Sequence, residues 1–249
     1  MRYFFRVEYD GTDFGGWQRQ PNAVSIQELL EKALTVALRA PSEITGAGRT
    51  DAGVHARAQA VHFDSEKKID LGKLQLSLNA LLPPQIAVYN MAEVDSSFHA
   101  RFSAVSRQYK YYLSLRKQPL FLKRVWMIYN KVDWDLVRKN SLDLLGTHDF
   151  ETFCASGAGS DNTVCTVKNV NLVETRDGLV FTIEADRFIY KMVRSVVGSL
   201  IDIGRGRFNS TMAEIIESKD RSRAGSTAPP FGLVLERVNY PLELIDDKL

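Results

Sequence analysis

Eleven residues, Gly46-Ala47-Gly48-Arg49-Thr50-Asp51-Ala52-Gly53-Val54-His55-Ala56, bring an arginine, an aspartate and a histidine within seven positions, spaced by glycines and alanines. Short side chains let the backbone turn and let a large ligand come close. Arg49 and Asp51 stand two apart, so in extended chain both point to one face. A guanidinium beside a carboxylate holds it ionised. An ionised carboxylate in an open setting suits a nucleophile or a general base. The competing reading is a polar turn with a surface ion pair.

Three further stretches carry chemistry-bearing side chains. Arg107, Tyr109 and Tyr111 alternate along one segment and share a face if it is a strand. That face is either a base-stacking surface or ordinary half-buried packing. Arg194 interrupts the apolar run Phe188 to Gly198. If buried it needs a carboxylate, for which Asp51 is the candidate; if at an edge it snorkels to water. Ser97 to Ser103 mixes Phe98, His99, Arg101 and Phe102, as a phosphate contact or as a hinge packed by its phenylalanines. His148 reads as structural, at a helix end leading into a turn.

The elements that must position these residues follow from periodicity. Residues 2–9 read as a strand ended by Asp10-Gly11. Thr12 to Asn22 is a loop whose aromatics, Phe14 and Trp17, fit no strand or helix period. Ser25 opens a helix with a capping-box pattern, its apolar face running Ile26, Leu29, Leu30, Ala33, Leu34, Ala37, Leu38. A strand is expected near 57–64, a helix capped by Asp70 with Leu71, Leu74, Leu78, Leu81 and Leu82 inward, and a strand over 86–94. This strand–helix–strand–helix–strand order has room for one more strand near the Asp51 stretch, a βαββαβ-like plan. The second half repeats the plan without a sequence repeat. It has a strand at 106–115, a helix capped by Asp133 through Leu145 with Gly146 as its stop, and a hairpin across Asp177-Gly178. A helix on Ile189, Met192, Val193, Val196, Val197, Leu200 and Ile201 follows, then a short helix near 210–218 and a last strand at 232–239. The expected fold is α+β, with two ferredoxin- or RRM-like subdomains, 1–103 and 104–249. They share an extended mixed, mostly antiparallel sheet, with the active-site cleft between them. Cys154 to Thr163 reads as a mobile loop.

Composition narrows the classes. The chain has 249 residues, 45% hydrophobic and 25% charged, enough for a real core. Its net charge of +2 does not announce a polyanion by itself. Basic residues do cluster at Arg116, Lys117, Lys123 and Arg124, at Arg205 and Arg207, and at Lys219, Arg221 and Arg223. Cys154 and Cys165 form neither a disulfide framework nor a zinc-ligand spacing, which fits a reducing cytoplasm. No signal peptide and no membrane-length apolar run is expected. The Gly46–Thr50 glycines lack the lysine and spacing of a phosphate-binding loop. Spacing alone leaves an RNA-modifying enzyme with catalytic Asp51, a non-catalytic RNA-binding module, or a hydrolase using Asp51 with His55 or His62. The last is weakest, because no nucleophile elbow and no metal motif accompanies it.

Several blocks in order resemble the tRNA pseudouridine synthase A (TruA) family. They are Tyr9–Asn22, Gly46–Ala56, Asn79–Pro83, Phe98–Tyr111, Gly146–Phe150 with Phe153, and Phe188–Gly198. The resemblance implies an isomerase that converts uridine to pseudouridine at tRNA positions 38, 39 and 40 in the anticodon stem-loop. It implies no cofactor or metal and a homodimer whose tRNA touches both protomers. It implies Asp51 as the covalent nucleophile and Tyr109 as the residue that stacks on the uracil and moves the carbon-5 proton. Arg49 then helps hold the flipped base, and Arg194 pairs with Asp51. His55, Arg101 and Arg107 complete the expected substrate-binding set.

Overall fold

The computed structural model describes residues 1–155 and 162–241. The centre of the Cys154–Thr163 stretch, read above as a mobile loop, lies outside the described residues. The chain divides into two units, Met1–Val105 with Val234–Leu249, and Ser106–Leu233. Among the described residues there are ten strands and five α-helices, the α+β class expected.

The first unit opens with β1 (Arg2–Tyr9), α1 (Ile26–Leu38), β2 (Thr45–Gly46), β3 (His55–Asp64), α2 (Leu71–Leu81) and β4 (Ile86–Val94). β1 lies between β3 and β4, antiparallel to both, with Phe5 opposite Val61 and Arg6 opposite Tyr89. β2 is the extra strand, antiparallel to β3 with Thr45 opposite His62. Tyr3, Phe4 and Phe5 are wholly buried, so both faces of β1 are covered. Phe4 meets Phe98 and Tyr240 on one face, while Tyr3 and Phe5 meet Phe63 on the other. α1 starts where Ser25 accepts the Glu28 N–H, and buries Ile26, Leu30, Ala33 and Leu34. Glu31 joins that buried face because Arg19 pairs with it and the Ile44 N–H donates to it. α2 starts at Asp70 and buries Leu74 and Leu78. Leu81, expected inward, is exposed, because Leu82 leaves the helix in extended backbone and takes the inward place.

The second unit comprises β5 (Ser106–Ser114), β6 (Trp126–Met127), α3 (Trp134–Ser141), β7 (Gly146–Asp149), β8 (Val164–Thr175), β9 (Gly178–Ala185), α4 (Met192–Gly204) and α5 (Met212–Glu217). Its sheet runs β5-β9-β8-β7, all antiparallel, with β6 parallel to β5. The β8–β9 hairpin turns at Arg176-Asp177, one residue before the expected Asp177-Gly178, because Gly178 already pairs with Thr175 in β9. α4 is buried along nearly its whole length. α3 closes on its C-terminal end, where the Gly204 carbonyl accepts the Asp133 N–H at 2.8 Å. A Cβ at Gly204 would stand 2.6 Å from Val137. Gly146–Asp149, expected as a helix end and turn, is a strand. The α3 turns tighten at Leu142–Leu144, Gly146 takes φ +101°, and Thr147 and His148 pair with Thr166 and Cys165 of β8.

The final strand, β10 (Leu233–Asn239), pairs parallel to β3, with Val234 opposite His55. That pairing groups the last strand with the first unit, whereas the sequence reading counts it with the second half.

Candidate active site

The Asp51 loop is the tip of an open hairpin between β2 and β3. Ala47 still donates its N–H to Ala60 at 2.8 Å, and the Gln59 amide reaches the Gly48 carbonyl at 2.8 Å. The chain then leaves the edge of β3 and returns at His55, closing with the Val54 N–H on the Asp51 carbonyl at 3.1 Å. Asp51 is half-buried there, and Arg49 is exposed. Thr50 is buried, its hydroxyl 2.7 Å from the Tyr9 hydroxyl.

A second loop, 11–17, braces the first through its backbone. Trp17 donates its N–H to the Thr50 carbonyl at 3.1 Å, and Gly11 donates its N–H to His55 Nδ1 at 3.0 Å. His55 is buried, with Nδ1 also 3.1 Å from an Asp10 carboxylate oxygen. That oxygen accepts from the Thr12 N–H and hydroxyl. Glycine is required where the loops touch. A Cβ on Gly11 would collide with the Val54 carbonyl, and one on Gly16, at φ +96°, would stand 2.6 Å from the Thr50 carbonyl oxygen. Trp17, the aromatic that fitted no period, is buried beside Tyr9 at 6.1 Å, and a Cβ on Gly46 would meet its ring at 2.6 Å. The structure thus makes His55, with Tyr9, Asp10 and Trp17, part of the frame under Asp51.

The second unit holds Arg107, Tyr109, Tyr111 and Arg194. Tyr109 and Tyr111 share a face of β5, as alternation requires. Tyr111 is a packing residue, wholly buried, its hydroxyl donating to the Pro229 carbonyl at 2.5 Å. Burial pushes its phenol far above the ordinary range, and the charge of Arg194 pulls it part-way back. Tyr109 is 9% exposed and meets Phe188 edge-on at 5.1 Å, so it is less open than a bare sheet face would make it. Arg107 donates to the Asp186 carbonyl at 2.8 Å.

Arg194 sits in the first turn of α4, half-buried, and a strap at Gly225–Ala228 holds it. Its Nε donates to the Ala228 carbonyl at 2.9 Å, and its own carbonyl accepts the Ala228 N–H at 3.0 Å. The strap is pinned to α4 twice more. Gly225 donates its N–H to Ser199 Oγ at 2.8 Å, and Ser226 donates from its N–H and hydroxyl to the buried Asp202 carboxylate at 3.0 and 2.9 Å. Gly198 leaves room for it, since a Cβ there would overlap the Ser226 carbonyl. Arg207 neutralises Asp202 at 2.8 Å.

Arg101, in the Phe98–Phe102 connector of the first unit, is exposed. A shallow hollow of about 360 Å³ opens beside the β8–β9 turn near Arg116, Trp134 and Asp177, and none of the predicted site residues lines it.

With this geometry in hand, comparison with known proteins is direct. A family model described as tRNA pseudouridine synthase matches residues 6–103 and 142–241. The chain belongs to the tRNA pseudouridine synthase family. It is 41% identical over 249 residues to tRNA pseudouridine synthase A of Bacteroides fragilis, covering 99% of both chains. It is 42% identical over 245 residues to that of Parabacteroides distasonis, covering 98% of this chain and 97% of the relative. It is 40% identical over 241 residues to that of Exiguobacterium sibiricum, covering 96% and 97%.

Within the family match lie the Asp51 loop, its bracing loop from Gly11, and the Arg194 helix with its strap. The β5 segment with Arg107 and Tyr109 falls between the two matched spans. Sequence reasoning missed the bracing residues Tyr9, Asp10 and Gln59 and the strap with Asp202. The aperiodic Trp17 and the clustered glycines 11, 15 and 16 were the available signal for the brace. The strap lies about thirty residues from Arg194 in a polar stretch without any motif.

Proposed function

We propose that this pseudouridine synthase isomerises uridine at positions 38, 39 and 40 in the anticodon stem-loop of tRNA, with Asp51 as the covalent nucleophile. The observation that carries the reading is the Asp51 loop: a half-buried carboxylate on a tip braced at Thr50 and at His55, in a chain of this family. A nucleophile works best when its position is fixed before substrate arrives.

The chemistry balances without a co-substrate. The target uridine leaves its stack, which costs a few kcal/mol. Asp51 bonds either the ribose anomeric carbon or ring carbon 6. The bond from ring nitrogen 1 to the ribose breaks, the uracil turns, carbon 5 bonds the ribose, and the bond to Asp51 breaks, which frees the carboxylate. Carbon 5 gives up its proton and nitrogen 1 gains one, so the product is an isomer of the substrate. In this reading Tyr109 stacks on the uracil, worth roughly 1–3 kcal/mol, and its hydroxyl relays the carbon-5 proton, giving up its own as it takes that one. Arg49, exposed on the loop, holds the flipped base. In the same reading Arg194, held by the strap, is the cation that pairs with Asp51. His55 acts through the loop it props, and Arg101 and Arg107 add contacts to the RNA. Phosphate contacts fix position without reading sequence, so neighbouring uridines can share one site. The same reading makes the protein a cytoplasmic homodimer with tRNA touching both protomers.

The test is to incubate an unmodified tRNA with the purified protein, without added metal or nucleotide, and map pseudouridine along the RNA. Product confined to positions 38–40 supports the reading. Product elsewhere only would overturn the assigned positions, and tight binding without product would leave a non-catalytic RNA-binding module.

A further inference from the structure

Phe102 is a large apolar side chain of the first unit with 76% of its surface open to solvent. Single exposed apolar residues are ordinary, but this one is built into place. Its ring lies on that of His99, with centroids 4.4 Å apart and planes 34° from parallel. His99 is fixed in turn, because its Nδ1 accepts the N–H groups of Arg101 and Phe102 at 3.1 and 3.3 Å. The turn is closed by two bonds between His99 and Ser103, each 2.9 Å. Behind His99 stand His62 at 4.9 Å and then Phe98, wholly buried, which meets Tyr240 at 5.1 Å. A ladder of rings therefore runs from the core to the surface and ends on Phe102. A rigid ring loses little conformational freedom when a ligand settles on it.

The charge around the ring is positive. The Arg101 guanidinium lies 5.6 Å from the Phe102 centroid. Burial first, then the charges of Arg2 and Arg101, hold the His99 imidazole below its usual range. The nearby carboxylates are engaged: Asp64 pairs with Arg2, and Asp95 accepts the Ser97 N–H. An exposed ring with a guanidinium over it suits a planar, polyanion-linked ligand. Proteins recognise unstacked nucleobases in this way, by aromatic stacking with a cation on the adjoining phosphate.

We propose that Phe102, with Arg101 beside it, is a docking platform for an unpaired nucleobase of the tRNA and its phosphate. The platform rests on the tRNA-modifying reading above. It contributes to binding, while bond making stays with Asp51.

The experiment compares wild type with Phe102→Ala, Phe102→Leu and Phe102→Trp. Each is titrated with unmodified tRNA at fixed salt, timed for pseudouridine formation in a single turnover at saturating enzyme, and weighed in solution. Because the side chain is exposed, the variants fold as wild type does. Phe102→Ala is expected to bind about tenfold more weakly or worse, with an unchanged saturating rate. Phe102→Leu binds as weakly as alanine, because it lacks a π face, and Phe102→Trp restores affinity. Wild-type affinity in Phe102→Ala, or in Phe102→Leu, overturns the stacking platform. A change of mass in Phe102→Ala overturns it in favour of a contact between two copies of the chain. Pseudouridine formation by wild type judges the parent reading separately, since the affinity comparison needs no turnover.

Discussion

The Asp51 loop and the Arg194 helix start hold their charged side chains by opposite means. Asp51 sits on irregular chain, and its loop is fixed by backbone hydrogen bonds from another loop at Trp17 and Gly11. Arg194 sits on a regular helix and is fixed by an irregular strap laid against it. In both places glycine permits the contact, Gly11 and Gly16 in the first and Gly198 in the second. The common lesson is that each charged group is aimed by backbone packed closer than any side chain allows. The difference is one of reach. The loop is braced at both of its flanks, whereas Arg194 is held mainly through one residue, Ala228.

That comparison can be broken or sharpened by substitution. The largest of the effects outside Asp51 itself is expected from Tyr109→Phe. It keeps the ring against Phe188 but removes the hydroxyl, and loss of a proton-transfer group typically costs about 10²–10⁴ in rate. Single-turnover pseudouridine formation measures it, with tRNA affinity expected to hold. A wild-type rate removes the hydroxyl from the mechanism.

Next are the paired glycine substitutions. Gly11→Ala forces the bracing loop away from Val54, and Gly198→Ala forces the strap away from α4. Overpacking of this kind costs about 1–3 kcal/mol, read as a lower unfolding midpoint. At a temperature where both variants remain folded, both should also lose turnover. If Gly198→Ala melts early yet turns over normally, the strap supports the fold and does not aim Arg194.

The remaining effect, of similar size, is a pH dependence. His62 is buried beside His99, and burial first, then the charge of Arg2, lowers its pKa from 6.5 to about 4. The unfolded chain therefore binds the proton that the folded chain refuses. Stability is full above about pH 6.5 and falls as the pH drops towards 4, by about 2–3 kcal/mol. Denaturant titrations at several pH values test this. His62→Gln should flatten the curve over that range, and an unchanged slope would place the effect elsewhere.

Much of the scaffold was legible because its signals are local. Ser25, Asp70 and Asp133 announce their helices by accepting an N–H within the first turn, and Asp177-Gly178 announces its hairpin. Non-local pairing hid the rest. Gly146–Asp149 reads as a helix end until β8 supplies its partner, and the two-residue strand Trp126–Met127 exists only beside Leu113 and Ser114. The candidate site divides along the same line. The Asp51 loop is compressed into eleven residues and stands out by spacing. Its brace comes from forty residues upstream, visible only as aromatics without a period and a cluster of glycines, and the strap that holds Arg194 has no pattern at all.

The most direct measurement places wild type beside Asp51→Asn on one unmodified tRNA and follows pseudouridine in the anticodon arm. The account predicts product from wild type alone, a loss of at least about a thousandfold in the variant, and equal folding and tRNA affinity. Pseudouridine formed by Asp51→Asn at a rate near wild type would contradict it, and the nucleophile would have to be sought elsewhere in the chain.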